Sequence, residues 1–112
     1  MSMTFDEYQK QALTTAVFSG DKMLDICHWA LGLSGESGEV ADKIKKIIRD
    51  QNSDPSAIDK DDLKKELGDV LWYIAVFAEE LGLSLQDVAN TNAEKLRSRK
   101  QRNTIEGSGD NR

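Results

Sequence analysis

The sequence predicts an all-α protein, folded as an antiparallel bundle of about four helices. Apolar residues recur along most of the chain at the i, i+3, i+4, i+7 spacing that buries one face of a helix. The 112 residues contain one proline, Pro55, and few β-branched runs, which favours helices over strands. The link around this proline, residues 50–56, is short, so the helices that it joins are predicted to be antiparallel neighbours.

Composition and charge narrow the range of functions. The length suits one domain with a modest core, and no apolar run approaches the roughly 20 residues of a membrane span. The N-terminus lacks the basic and apolar regions of a signal peptide, and the single cysteine, Cys27, excludes an internal disulfide. We therefore expect a cytoplasmic protein with no membrane partner. The net charge of −5 argues against nucleic acid as a partner.

The first helix is predicted to begin after Thr4 and to stop at Gly20. Thr4 and Glu7 match a capping box, in which the side chain of each residue accepts a hydrogen bond from the backbone N–H of the other. Ser19 or Asp21 can cap the second helix, whose apolar face continues to the loop around residues 50–56.

Three glycines, Gly32, Gly35 and Gly38, recur every three residues inside the second helix. Each costs about 1 kcal/mol relative to alanine in a helix interior. They therefore mark either a break, with Ser34 capping a new helix, or a stripe where another backbone or a ligand comes close. We favour the stripe, because acidic residues are interleaved with these glycines.

The third helix is predicted to begin between residues 56 and 62 and to end at Gly82. It carries the strongest apolar face in the chain. The fourth begins at Ser84, and we expect the helical domain to cover residues 1–102. The polar tail, residues 103–112, has little to bury, so it is either disordered or a latch that orders on a ligand or a second subunit.

Two acidic pairs lie within the apolar helical pattern, Glu36 with Glu39 and Glu66 with Asp69. Each pair is spaced i, i+3, so its two carboxylates share one helix face. If the two helices pack face to face, four carboxylates converge and repel one another unless a cation binds. Oxygen donors without histidine or cysteine favour a hard ion, so we expect Mg²⁺, with Mn²⁺ as the alternative. Two unrelated, solvated pairs are the competing interpretation, since such spacing is common on exposed helices.

The fourth predicted helix presents an amide and two cations on one face. Asn92, Lys95 and Arg99 are spaced i, i+3, i+7, in a basic run that continues to Arg102. A solvated helix end, where cations suit the helix dipole, explains this run as well as a phosphate-binding edge beside an acidic metal site does. Both interpretations stay open at this stage.

Residues 32–40 and 65–73 together resemble the MazG-like, all-α nucleoside triphosphate pyrophosphohydrolases. Glu36-Ser37-Gly38-Glu39 and Glu66-Leu67-Gly68-Asp69 match the family pattern of ExxE, a spacer and ExxD. The stretch from Asn92 to Lys95, followed by Arg99, is similar to the third element of the family. The end of the tail, residues 109–112, looks like that of small phage and bacterial members.

The resemblance implies a hydrolase that converts a (deoxy)nucleoside triphosphate to the monophosphate and pyrophosphate. It also implies helices that assemble with a second subunit, as a homodimer or a homotetramer. The catalytic, Mg²⁺-binding residues would be Glu36, Glu39, Glu66 and Asp69. The residues facing the substrate would be Lys46, Tyr73, Asn92 and Lys95, and Lys95 with Arg99 can neutralise phosphate oxygens.

Two other functions remain as alternatives. A non-catalytic nucleotide-binding or regulatory helical oligomer would bind nucleotides saturably without turnover. A purely structural helical oligomer would use its carboxylates for solubility, and substituting them would leave its stability unchanged with or without Mg²⁺. The complete set of four carboxylates favours the enzyme.

Overall fold

The computed structural model describes residues 2–112, and this part of the chain contains four α-helices and no strand. The elements are α1 (Phe5–Leu13), α2 (Lys22–Asp50), a 3-10 turn (Pro55–Ala57), α3 (Lys60–Glu80) and α4 (Leu85–Gln101). The predicted all-α fold is confirmed. Among residues 2–112, no helix has both the length and the apolar character needed to cross a bilayer.

A side chain caps the start of each helix. Thr4 and Glu7 form the predicted capping box, with a distance of 3.1 Å for both bonds. Asp21, rather than Ser19, caps α2. The remaining two caps are Asp59 for α3, inside the predicted range, and Ser84 for α4, as predicted.

The first helix ends at Leu13, so the prediction that it continues to Gly20 is wrong. Two threonines account for the early end. The Thr14 hydroxyl donates to a backbone carbonyl of the last turn at 2.6 Å, and the Thr15 hydroxyl does the same at 3.0 Å. The backbone N–H groups of the same two threonines also bond to these carbonyls, three residues back and at 3.1 Å each, which is the tightened pattern that closes a helix end.

α2 is continuous through its three glycines, so the alternative of a break near Ser34 is wrong. α2 and α3 pack against each other as the predicted antiparallel neighbours. At one end of the pair, Trp29 Nε1 donates to Oε1 of Glu80 at 3.1 Å. Towards the other end, Lys43 forms an ion pair with Asp62. The short link between the helices therefore positions the middle of α2 against the middle of α3.

The core lies between α1, the first half of α2 and the second half of α3. Trp29 is only 1% exposed and forms the centre of an aromatic cluster. The rings around it are those of Phe18, His28, Trp72 and Tyr73. The other buried apolar residues of this core are Ala12, Ala75, Val76 and Leu85.

A buried polar residue, Gln9, joins α1 to the link between α3 and α4. Its amide nitrogen donates to the carbonyls of Ala75 and Leu83, at 3.2 and 3.0 Å. Its amide oxygen accepts from the backbone N–H of Leu85 at 2.9 Å. One side chain therefore satisfies three backbone groups near the start of α4, where an unpaired group would be costly.

The main contacts of α4 are with α1 and α3. The tail, residues 103–112, folds back onto the end of α4 instead of extending into solvent. Asp110 accepts hydrogen bonds from Lys95 and Arg99 there. The expectation of a disordered tail is therefore not what the structure presents.

The chain is less compact than is usual for a self-contained domain of the same length. Its Cα radius of gyration is 17.0 Å, against about 13 Å expected for this length. Its accessible surface is 8203 Å², against about 6,200 Å² expected for its mass. Large apolar side chains on the paired helices remain exposed, such as Leu31 at 72% and Leu67 at 56%.

Candidate active site

Three acidic side chains converge at the middle of the α2–α3 pair. Glu36 and Glu39 lie one turn apart on α2, and the antiparallel packing positions Glu66 of α3 opposite them. One carboxylate oxygen from each residue lies within 4.8 Å of the corresponding oxygens of the other two. This spacing suits a single cation coordinated by carboxylate oxygens from two helices.

The fourth predicted acid, Asp69, lies nearby but outside this group of three. Its charge raises the pKa of Glu36, after the larger effects of burial and of Glu39. Its charge also raises the pKa of the Tyr8 hydroxyl on α1, after burial. Asp69 therefore borders both the acidic group and α1.

Two of the carboxylate oxygens are buried and have no hydrogen-bond partner among the described residues. These atoms are Oε2 of Glu36 and Oε2 of Glu66. Burial, together with the neighbouring carboxylates, raises the pKa of Glu36 above its usual value. Burying a carboxylate without a partner costs free energy. A cation bound by these oxygens would offset that cost.

One lysine of α2 contacts this acidic group. Lys43 lies 3.6 Å from Oε1 of Glu66 and also forms an ion pair with Asp62. The hydrogen bond to Asp62, with the charges of both acids, raises the pKa of Lys43. The ammonium thus supplies one positive charge at the edge of the group.

Lys46, predicted to face a substrate, is exposed and pairs with Asp42 at 3.0 Å. It lines a cavity of about 270 Å³ between the second half of α2 and the start of α3. Lys43 and Asp62 line the same cavity, together with apolar residues such as Ile47. This cavity therefore adjoins the acidic group through Lys43.

Tyr73, also predicted to face a substrate, packs its ring against Gly32 of α2. A Cβ atom at this glycine would overlap the ring, so Gly32 permits a close approach of the two helices. Gly35, Gly38 and Gly68 have open space where a Cβ would lie. Within one chain, the close approach of the two helices therefore occurs at Gly32, one turn before Glu36, and not at the glycines directly beside the carboxylates.

The three predicted residues of α4 lie away from the acidic group. Asn92 and Lys95 line a groove on α4 together with Leu83 and Val88. Lys95 and Arg99 bond to Asp110 of the tail, and among residues 2–112 neither of them contacts a carboxylate of α2 or α3. Within one chain, the structure does not bring the acidic and basic sets together.

The sequence around this acidic group matches a known protein family. The model of the MazG nucleotide pyrophosphohydrolase domain matches residues 28–103. The chain belongs to this MazG family. It is 45% identical to the Gene 37 protein of Mycobacterium phage L5 over 98% of this chain and all of that protein. It is also 38% identical to the uncharacterized protein YvdC of Bacillus subtilis (strain 168), over 60% of this chain and 68% of that protein.

No solved structure matches the chain significantly. The names of these two relatives do not describe an activity. The MazG match confirms the predicted resemblance and the general class, a nucleotide pyrophosphohydrolase domain of the hydrolase type. The matched MazG region contains both acidic pairs and the basic face of α4, whereas α1 and most of the tail lie outside it. The acidic group and the α4 cations are therefore within the part that defines the family.

Sequence reasoning missed Lys43, which contacts the acidic group through Glu66. The signal was available, because Lys43 is four residues after Glu39 and seven after Glu36, on the same face of α2. The family resemblance pointed to Lys46 instead, which is seven residues after Glu39 and fits the same periodicity. Only the register between α2 and α3 distinguishes the two lysines, since it positions Lys43 opposite the carboxylates of α3.

Proposed function

We propose that this MazG protein is a Mg²⁺-dependent pyrophosphohydrolase that converts a (deoxy)nucleoside triphosphate to the monophosphate and pyrophosphate. The convergence of Glu36, Glu39 and Glu66 is the observation that supports it most. Carboxylate oxygens from two helices, held within 4.8 Å of one another, form a donor set for a hard divalent cation.

The unpartnered atoms support the fit of such a cation. Oε2 of Glu36 and Oε2 of Glu66 are buried and accept no hydrogen bond from residues 2–112, and coordination would satisfy them. Asp69 is the fourth acid of the set, close enough for its charge to act on Glu36. When bound, Mg²⁺ or Mn²⁺ supplies Lewis-acid stabilisation of phosphate oxygens and activation of a water molecule.

The remaining residues have roles in binding and charge stabilisation. Water attacks the α-phosphorus, and the bond from this phosphorus to the bridging oxygen breaks as pyrophosphate leaves. Lysine and arginine side chains stabilise the negative charge of this leaving group. The substrate-binding side chains in this proposal are Lys46, Tyr73, Asn92, Lys95 and Arg99.

A second copy of the chain completes the site in this proposal, as a homodimer or a homotetramer. The accessible surface of the chain exceeds that of a compact monomer of the same mass by about 2,000 Å². This excess is comparable with the area that a stable interface buries. Leu31 and Leu67 present apolar area on the same two helices as the acids. Within residues 2–112, Lys95 and Arg99 pair with Asp110 of the tail and with no carboxylate of α2 or α3. A neighbouring copy is therefore the source of cations that this arrangement favours.

A panel of nucleoside triphosphates, assayed for pyrophosphate with and without Mg²⁺, tests the activity and the substrate together. We expect E39Q and E66Q to abolish turnover. The matched control is E79Q, which removes an exposed acid of α3 and is expected to leave turnover unchanged. Saturable nucleotide binding without turnover would instead support the regulatory alternative.

Thermal or chemical unfolding provides a second readout of the metal. If Mg²⁺ binds only the folded protein, a hundredfold excess over Kd stabilises it by about 2.7 kcal/mol. E39Q and E66Q should lose this gain, and E79Q should keep it. Equal behaviour of all three variants would contradict a metal site at the acidic group.

A further inference from the structure

The tail forms a defined loop on the end of α4. Its last residue, Arg112, donates to the backbone carbonyls of Thr104, Ile105 and Gly109, at 3.2, 2.9 and 2.6 Å. The loop also needs glycine at position 107, where φ is +128° and a Cβ would lie 3.2 Å from Cδ of Arg112. The loop is therefore shaped by Arg112 and by glycine backbone, independently of its acidic side chains.

Asp110 joins this loop to the two cations of α4 through a single carboxylate oxygen. Oδ1 accepts from Lys95 Nζ at 2.8 Å and from an Arg99 nitrogen at 3.2 Å. The Asp110 carbonyl accepts from the same Arg99 nitrogen at 2.7 Å. The carboxylate thus contacts both cations that the proposed function assigns to substrate phosphates.

The two contacts differ in how easily a competing anion could replace them. The Arg99 side chain is only 6% exposed, and its buried Nε has no hydrogen-bond partner in the part of the chain that the structure describes. By contrast, the side chains of Lys95 and Asp110 are 35% and 80% exposed. Exposed ion pairs contribute little and are screened by salt, so an incoming anion can displace the Asp110 carboxylate without unfolding the loop.

The local charge balance favours an anion at this position. Lys95, Arg99 and Arg112 bring three positive charges, and Arg112 donates to carbonyls instead of a carboxylate. Asp110 is the acid that contacts Lys95 and Arg99. A polyphosphate would supply more negative charge and more acceptor oxygens than one carboxylate does.

We propose that the tail is a self-inhibiting strap, in which Asp110 occupies the cations of α4 until the polyphosphate of a substrate displaces it. This inference rests on the proposed function for the role of Lys95 and Arg99. The carboxylate takes the place of a phosphate oxygen in the substrate-free protein. Binding of the substrate anion then requires exchange of one acceptor for another at Lys95.

Calorimetric binding of inorganic tripolyphosphate to the full chain, without divalent cation, tests the strap separately from hydrolysis. D110N removes the competing charge and should tighten binding by about two- to fivefold, the effect of losing one exposed ion pair. E106Q is the matched control, since Glu106 is an exposed acid of the same tail. Its binding should remain close to that of the unmodified chain. Circular dichroism verifies that each variant is folded.

The variant K95M tests whether the tighter binding of D110N depends on the contact between Asp110 and Lys95. In the K95M background, D110N should lose most of its gain, because the two side chains interact directly. Unchanged or weaker binding in D110N, an equal gain in E106Q, or a full gain in K95M would each overturn the strap. Pyrophosphate release from triphosphates is measured separately, so loss of activity alone would contradict the proposed function and not this inference.

Discussion

The Lys43 ammonium of α2 lies 3.6 Å from Oε1 of Glu66 on α3. The same ammonium pairs with Asp62, one turn earlier on α3. Lys43 therefore provides positive charge beside the proposed metal ligands, and its two ion pairs account for its position. This makes Lys43 a local competitor of a divalent cation in the substrate-free protein.

We expect K43M to raise the affinity for Mg²⁺ by roughly threefold to tenfold, because a like charge is removed from the neighbourhood of the cation. The same substitution should lower the stability of the metal-free protein, since the acids of α3 lose their cation. Titration calorimetry with Mg²⁺ and urea unfolding with a chelator measure the two effects. K45M is the control, since Lys45 pairs with Asp42 outside the acidic group, and weaker Mg²⁺ binding in K43M would contradict the expectation.

The contact between Gly32 and Tyr73 leads to a second prediction. G32A gains about 1 kcal/mol of helix propensity, but its methyl group would overlap the Tyr73 ring. We expect a net loss of about 1–3 kcal/mol in the free energy of unfolding, the usual cost of overpacking. Urea denaturation, with an unchanged slope against denaturant, measures it.

G35A is the matched control for this prediction. It adds the same methyl group to the same helix where the chain leaves open space, so it should stabilise by about 0.5–1 kcal/mol. If G32A proved as stable as G35A, the close approach of α2 and α3 at Gly32 would be wrong. Restoring space with G32A combined with Y73L should recover part of the loss.

The pH dependence of the tail follows from Asp110. Hydrogen bonds from Lys95 and then Arg99 lower the pKa of its carboxyl below the usual value. A lowered folded-state pKa means that the contact stabilises the protein above the ordinary aspartate pKa. This contribution is lost as pH falls through the lowered value.

Carbon-detected NMR titration of the Asp110 carboxyl measures that pKa directly. K95M should raise it towards the ordinary value, because the hydrogen bond from Lys95 contributes most to the lowering. In unfolding experiments, the stability difference between the unmodified chain and D110N should be present near neutral pH and vanish in strong acid. A difference that grew as pH fell would have the wrong sign for an ionised Asp110.

Local features of the fold could be predicted from the sequence because they depend on neighbouring residues. The Thr4–Glu7 capping box and the i, i+3 acidic pairs depend only on helical geometry. The end of α1 was mistaken because Thr14 and Thr15 bond, through both backbone N–H and hydroxyl, to carbonyls three residues back instead of continuing the α-helical pattern. No periodicity of apolar residues carries that information.

Features of the site that depend on contacts between distant segments could not be predicted. Lys43 and Lys46 share a helix face, and only the register against α3 assigns Lys43 to Glu66. Arg99, which we propose to bind the substrate, is covered by Asp110 of the tail, a contact that the helix periodicity does not indicate. Charge patterns along one helix do not reveal which distant acid will satisfy them.

The bonds of Gln9 have a consequence for the order in which the chain folds. Its three partners lie 66, 74 and 76 residues away in sequence, in the second half of α3, in the turn after it and at the first residue of α4. Contacts of such long sequence separation close large loops and form slowly. α1 therefore cannot gain these three bonds until residues 75–85 have been synthesised and have folded, although it precedes them in the chain.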